Sequence, residues 1–180
     1  MKYILSILMI AGLTLSSYSK SKEVGENIDV THYEIHLNEI NVADRIIDAT
    51  TIITLKTLTS IDGIELELKS LDVTSVTSDD AIINNFSQNG DVLSVTFGNT
   101  VTANTTISLT VNYGGTTFNE NWGGIHWSND YVYNLGVGFD SQPHNLGKTW
   151  FPCVDNFTDK ASFDLYITYP DNMLSSCGGL

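Results

Sequence analysis

Positive charge is scarce in this sequence: Lys and Arg number 8 against 21 Asp and Glu, leaving a formal net charge of -13 at pH 7. A phosphate backbone or an anionic membrane surface demands a basic face, so the imbalance argues against nucleic acid and anionic lipid as partners. Cysteine is sparse too, with only Cys153 and Cys177. Neither sits in a Cys-x-x-Cys pair, which removes zinc-ribbon and thioredoxin-type sites from consideration. No apolar run reaches the ~20 residues that a membrane-spanning helix needs. Nor does any segment beyond the N-terminus carry a sustained apolar stripe of period 3.6, so helix is at most a minor component.

What is present begins with Met1-Lys2, an apolar run over residues 3–15 and then small polar residues, the layout of a secretory signal peptide. Ser17 and Ser19 place small residues where a signal peptidase reads them, so residues 1–19 are expected to be removed near Ser19. No cysteine follows the run, and a lipid anchor is not indicated. The remaining residues 20–180 suit a single domain, or a larger one cut short at its C-terminal end, exported to a periplasmic or extracellular space with no membrane span after cleavage. That compartment permits a disulfide between Cys153 and Cys177 without requiring one, and a buried free thiol is the preferred reading of Cys153.

From Ile28 the chain alternates with period two, setting Tyr33, Ile35 and Leu37 opposite His32, Glu34 and His36. His32 and His36 superficially suggest a metal site. On a strand an i, i+4 pair lies about 13 Å apart, too far to share one ion, so solvent-face histidines are expected. Residues 46–58 and 64–69 read as strands joined by a turn at Asp62-Gly63, and Glu65, Glu67 and Lys69 read as a solvated face. Further strands are expected over residues 71–77, 81–86, 92–97 and 105–113, with Asn89-Gly90 as a hairpin turn. The class is all-β and antiparallel, a β-sandwich or saddle-like pair of curved sheets.

The texture changes at Gly114, after which glycines mix with aromatics as in a loop folded closely over something. Trp122, Trp127 and Tyr131 fit either a stacking platform for a glycan or the filling of a core or interface; the second use is the commoner one. A binding module for glycan or protein is therefore the alternative function.

Residues 131–139, then Trp150-Phe151-Pro152-Cys153-Val154-Asp155, then Lys160-Ala161-Ser162-Phe163 resemble the N-terminal β-domain of the aminopeptidase N family of zinc metallopeptidases. Phe151, Pro152, Cys153, Asp155, Lys160, Ala161, Phe163 and Pro170 fall in register with that family's pattern. Gly124 and Ser128 are similar to its preceding Gly-x-Tyr-x-Ser element, and residues 174–180 to the strand that follows. Asn156-Phe157 stands where Glu-Pro is usual, and Lys148-Thr149 where arginine is common. Upstream, the family's Gln-x-Glu pair is replaced by Ser141-Gln142-Pro143, so the resemblance implies one candidate substrate contact, Gln142.

In chemical terms Pro152 fixes φ and lacks an N–H, which places Trp150 and Phe151 at a bend or an edge. Asp155 and Lys160 are expected to pair across a turn in a structural role, since a carboxylate and an ammonium without nucleophile or metal ligands make no reaction centre. The resemblance implies hydrolysis by a zinc held in a His-Glu-x-x-His helix, and neither that motif nor the family's Gly-x-Met-x-Asn strand occurs here. No catalytic or metal residue is therefore expected in this chain. The implied cofactor, zinc, belongs to a catalytic domain of the same polypeptide, and the implied partners are that domain and a peptide substrate.

Overall fold

The computed structural model describes residues 23–129 and 131–178. The apolar run at residues 3–15 and the expected cleavage near Ser19 lie outside the described residues. Among the described residues the elements are the strands β1 (Ile28–Asn41), β2 (Ile46–Thr57), β3 (Ile61–Glu67), β4 (Asp72–Thr77), β5 (Ile83–Asn89), β6 (Val92–Val101), β7 (Thr106–Thr116), β8 (Asn119–Glu120), β9 (Gly123–Ser128), β10 (Tyr131–Leu135) and β11 (Ser162–Ile167), with one 3-10 turn at Gly147–Thr149. They form a five-stranded sheet in the order β11-β1-β2-β7-β4 and two three-stranded sheets, β3-β6-β5 and β10-β9-β8. No helix among these residues is long and apolar enough to cross a membrane.

Period-two patterning builds the core directly. On β2, Ile47, Ala49, Thr51, Ile53, Leu55 and Thr57 are all buried, and on β7 so are Ile107, Leu109, Val111 and Tyr113. Leu93, Val95 and Phe97 of β6 and Ile64 and Leu66 of β3 join them in a single hydrophobic cluster that spans the first two sheets. Each fully buried Leu or Ile contributes about 1.5–3 kcal/mol, which makes this seam the main source of stability.

Two local expectations are corrected and one is refined. Asp62-Gly63 is no turn: both residues lie within β3, and the chain passes from β2 to β3 through residues 58–60. Glycine is required at position 63 because a Cβ there would run into the Val95 carbonyl oxygen across the sheet. The β3–β6 register shifts between Ile61 and Gly63, and this bulge lets Ile61 and Ile64 both face the core despite their odd spacing. The loop between β5 and β6 is Gly90-Asp91, one residue later than read from the sequence, with positive φ at Gly90 alone as a II′ hairpin requires. Finally, not every pair is antiparallel. β11 lies parallel to β1, from His32 opposite Ser162 to Leu37 opposite Ile167, because it arrives after a crossover through the rest of the chain.

Candidate functional site

Residues 147–155 are tied to three strands at once. The Glu67 amide donates to the Cys153 carbonyl at 2.7 Å, the Cys153 amide returns the bond to Glu67 at 3.0 Å, and the Lys69 amide donates to the Lys148 carbonyl at 2.7 Å. Two buried tyrosines clamp the segment from the sandwich side. Tyr113 Oη donates to the Trp150 carbonyl at 3.0 Å while the Thr51 hydroxyl donates to it, and Tyr33 Oη accepts from the Val154 amide at 3.1 Å. The Phe151 ring stands edge-on to Tyr33 at 5.1 Å and to Trp150 at 4.7 Å. Burial pushes both phenols far above the usual tyrosine range and raises the Cys153 thiol, with Asp155 and Glu67 adding to the thiol's shift. A thiol held protonated in this way is a poor nucleophile.

The charges in this segment differ from the expected arrangement. Lys148, not Lys160, faces Asp155: Lys148 Nζ lies 2.6 Å from Glu67 Oε1 and 4.0 Å from Asp155 Oδ2. Lys160 is exposed and, among the described residues, pairs with no carboxylate. The reason is local, since Asp155 turns back to accept the Gly147 amide at 3.2 Å and so points toward the 3-10 turn. Its Oδ2 is buried without a hydrogen bond, the Lys148 ammonium being its compensation. Burial alone would depress Lys148, but the hydrogen bond and field of Glu67, with Asp155, hold it above the usual lysine value. Glu67 is therefore no member of a solvated face. Sequence reading missed this pair because its members are 81 residues apart and each sits in a pattern with an ordinary local explanation.

Gln142 lies on the loop that precedes this segment. The Gly138 amide donates to the His144 carbonyl at 2.8 Å and the Leu146 amide to the Gly136 carbonyl at 2.9 Å, closing the loop at its base. Glu120 of β8 braces it from the side, accepting from the Asp140 amide at 3.0 Å and the Ser141 hydroxyl at 2.5 Å. Those bonds hold the Glu120 carboxyl below the usual range, the Ser141 hydroxyl being the largest cause. Gly138 lets Glu120 approach closely, since a Cβ there would displace its carboxylate from the loop. Gln142 itself is exposed, joined to Pro143 by a cis peptide bond, and its amide nitrogen donates to His144 Nε2 at 3.2 Å. Among the described residues its side-chain carbonyl accepts nothing, which leaves an acceptor free for a ligand's N–H. Glu120 had no sequence signal beyond its acidity, since only tertiary contact carries it to this loop.

His32 and His36 are half-exposed on β1 and reach different partners. His36 Nε2 meets Glu34 at 2.7 Å and stacks on Tyr166 at 4.5 Å, whereas His32 lies 2.8 Å from the Ser162 hydroxyl and 3.6 Å from Asp164. Serine, imidazole and carboxylate thus stand in line, but Ser162 gives its proton to the Thr31 carbonyl at 3.1 Å and lies open to water on an exposed strand. The imidazole therefore does not activate it. Nor do these histidines form a metal centre. Among the described residues no three His, Cys, Asp or Glu side chains gather as a cation would require, so the residues present do not fit zinc.

The candidate platform aromatics separate. Trp127 is half-buried against the core with its indole N–H on the Thr117 hydroxyl at 2.8 Å, while Trp122 and Tyr131 stay exposed. Of the motif residues, Trp150 and Phe163 line an open apolar groove of about 570 Å³ together with Leu165, Ile167 and Tyr169. Ala161 is half-buried against the core, whereas Phe163 is 56% exposed. The cysteines do not pair: Cys153 is buried and free, Cys177 exposed and free.

The family model described as the Peptidase M1 N-terminal domain matches residues 29–178. Among solved structures, an M1 zinc metallopeptidase mutant from Deinococcus radiodurans bound to a Tyr-Ser-Ala substrate is 21% identical, with a TM-score of 0.67 over 80% of this chain and 33% of that one. The M1 zinc metallopeptidase from Deinococcus radiodurans without that substrate gives 21% identity and a TM-score of 0.65 over 78% and 32%. At this identity the likeness concerns the fold, and the chain spans about a third of the length of these structures. No curated protein matches.

Proposed function

The chain belongs to the Peptidase M1 N-terminal domain family, and from that premise we propose that it serves as the non-catalytic N-terminal domain of an exported zinc aminopeptidase. The family match over residues 29–178 is the observation that carries this reading. In it the domain packs on a catalytic domain of the same polypeptide and walls one side of the substrate cleft. Removal of N-terminal residues from peptides is the activity of the whole protein, with zinc and water activation supplied by the catalytic domain.

What these residues do is position. The braced loop presents the Gln142 carbonyl to the peptide's free amino group as a hydrogen-bond acceptor, and the clamp on residues 147–155 fixes the loop's base. A substrate contact on a rigid base converts binding into orientation, where a displacement near 1 Å costs about 100-fold in rate. Export rests on the basic start and the apolar run at residues 3–15, and N-terminal sequencing of the mature protein tests it.

Activity is tested by purifying the full-length protein with zinc and measuring amino-acid release from aminoacyl p-nitroanilides. Turnover is expected, with Gln142→Ala raising KM more than it lowers kcat. The 180-residue chain alone is expected to hold no stoichiometric zinc and release nothing. Metal-dependent turnover by that chain overturns the assignment.

A further inference from the structure

Beside Gln142 the surface carries a cluster that the fold does not need. Trp122 is 55% exposed and Phe139 70% exposed, although both are large and apolar. Their rings lie 6.2 Å apart at 31°, and the His144 ring lies 6.5 Å from Phe139 at 66°. A single exposed aromatic is ordinary, but neighbouring rings brought together from two loops, the β8–β9 turn and the loop after β10, mark a contact surface. Asp140 follows Phe139 directly, is exposed, and its carboxylate forms no ion pair among the described residues. Glu120 is already committed to the Asp140 amide and the Ser141 hydroxyl. Lys69, whose field reaches Glu120, is itself held by Asp91 at 3.4 Å and by the face of Phe118 at 4.4 Å.

We propose that Trp122, Phe139 and Asp140 form a specificity subsite beside Gln142 that takes a cationic side chain, lysine or arginine, of the peptide. The proposal rests on Gln142 facing substrate. Two aromatic faces with an unpaired carboxylate are complementary to an alkyl or guanidinium stem ending in positive charge, since the rings attract the cation and cover its carbons. An apolar side chain would gain from the rings but would crowd water from Asp140 with nothing in return. The surrounding charge agrees, with 21 acids against 8 bases over the chain. The brace from Glu120 and the closed loop base fix the cluster before the ligand arrives, which lowers the ordering cost of binding.

Full-length protein is assayed with Lys-, Arg-, Ala- and Leu-p-nitroanilide in the wild type, Phe139→Leu and Asp140→Asn forms. Phe139→Leu keeps the apolar bulk but removes the ring face, so a folded loop is retained. KM for the Lys and Arg substrates is expected to rise about three-fold in each variant, the size of an exposed cation–π contact, while Ala and Leu substrates stay within experimental error. An equal change for all four substrates, or none, overturns the subsite. A second readout is independent of turnover: arginine amide is titrated against leucine amide while Trp122 fluorescence is followed, with Trp122→Phe identifying the signal. Saturable quenching by arginine amide alone, weakened in Phe139→Leu, supports the subsite even if no substrate is hydrolysed, an outcome that would sink the aminopeptidase reading instead. Equal or absent responses to the two amides overturn the subsite.

Discussion

The hydroxyl of Tyr33 accepts the amide proton of Val154 at 3.1 Å, a buried bond between residues 121 apart that joins the first strand to the far end of the motif segment. Tyr33→Phe keeps the ring contact with Phe151 and removes only the acceptor. The Val154 amide is then buried without a partner, at a cost of about 1–3 kcal/mol. A urea melt followed by circular dichroism is expected to show that loss with an unchanged m-value, and an unaltered midpoint would mean that the amide finds another acceptor.

The same phenol sets an alkaline limit on the fold. Burial raises Tyr33 and Tyr113 in the folded state far above their unfolded values. Their contribution is fully present below the unfolded tyrosine value near pH 10 and is lost as pH climbs above it, because the unfolded chain then releases protons the folded chain keeps. Each contributes a slope of about 1.4 kcal/mol per pH unit in that window. Spectrophotometric titration checks this: two of the 8 tyrosines should ionise only together with unfolding.

Lys148 lies between Glu67 and Asp155 with a side-chain exposure of 12%, against 20% and 8% for the two acids. Lys148→Met preserves the stem and removes the charge, leaving two shielded carboxylates without their shared cation. Breaking such a pair from one side costs about 3–5 kcal/mol when fully buried, so a somewhat smaller loss, about 2–4 kcal/mol, is expected here. A double-mutant cycle with Glu67→Gln separates the pair's coupling from the desolvation of the orphaned acid, and additive single effects would refute the coupling.

These contacts mark the boundary of what the sequence makes legible. The sandwich was legible because each strand's burial is encoded locally: Ile53 and Leu55, or Leu109 and Val111, alternate with polar neighbours whatever they pair with. Gly63 misled because glycine beside aspartate is a turn signal, whereas here it answers to a carbonyl on β6, a strand some 30 residues away. The motif residues from Trp150 to Phe163 were identified as a unit, yet the partner of Asp155 was assigned to the nearer lysine. Charge pairing follows side-chain direction, and the Gly147 amide sets that direction from outside the motif. Glu120 was invisible for the same reason, being one of the two residues of a short strand that only the third sheet carries to the Gln142 loop.

The two thiols offer a separate check on the clamp. Burial raises Cys153, and its backbone is locked in both directions to Glu67. Cys177 is exposed. In native protein a thiol reagent such as dithionitrobenzoate is expected to modify Cys177 readily and Cys153 only at the rate of unfolding. Biphasic labelling that becomes monophasic in denaturant is the result in agreement; rapid labelling of both in native protein would show that residues 147–155 open locally.

The apolar groove beside β11 sets the last expectation. Phe163 is 56% exposed there, next to Trp150, Leu165 and Tyr169, so the 180-residue chain presents a contiguous apolar surface to water. Such a surface binds hydrophobic dyes and promotes self-association. Phe163→Ser removes the most protruding ring from an edge strand without touching the buried cluster, and a substitution of that kind changes stability by only about 0.5 kcal/mol. Dye fluorescence and light scattering are therefore expected to fall while the melt stays put. A melt that shifts along with them would mean that Phe163 is part of the core, and dye binding that does not fall would place the sticky surface elsewhere on the domain.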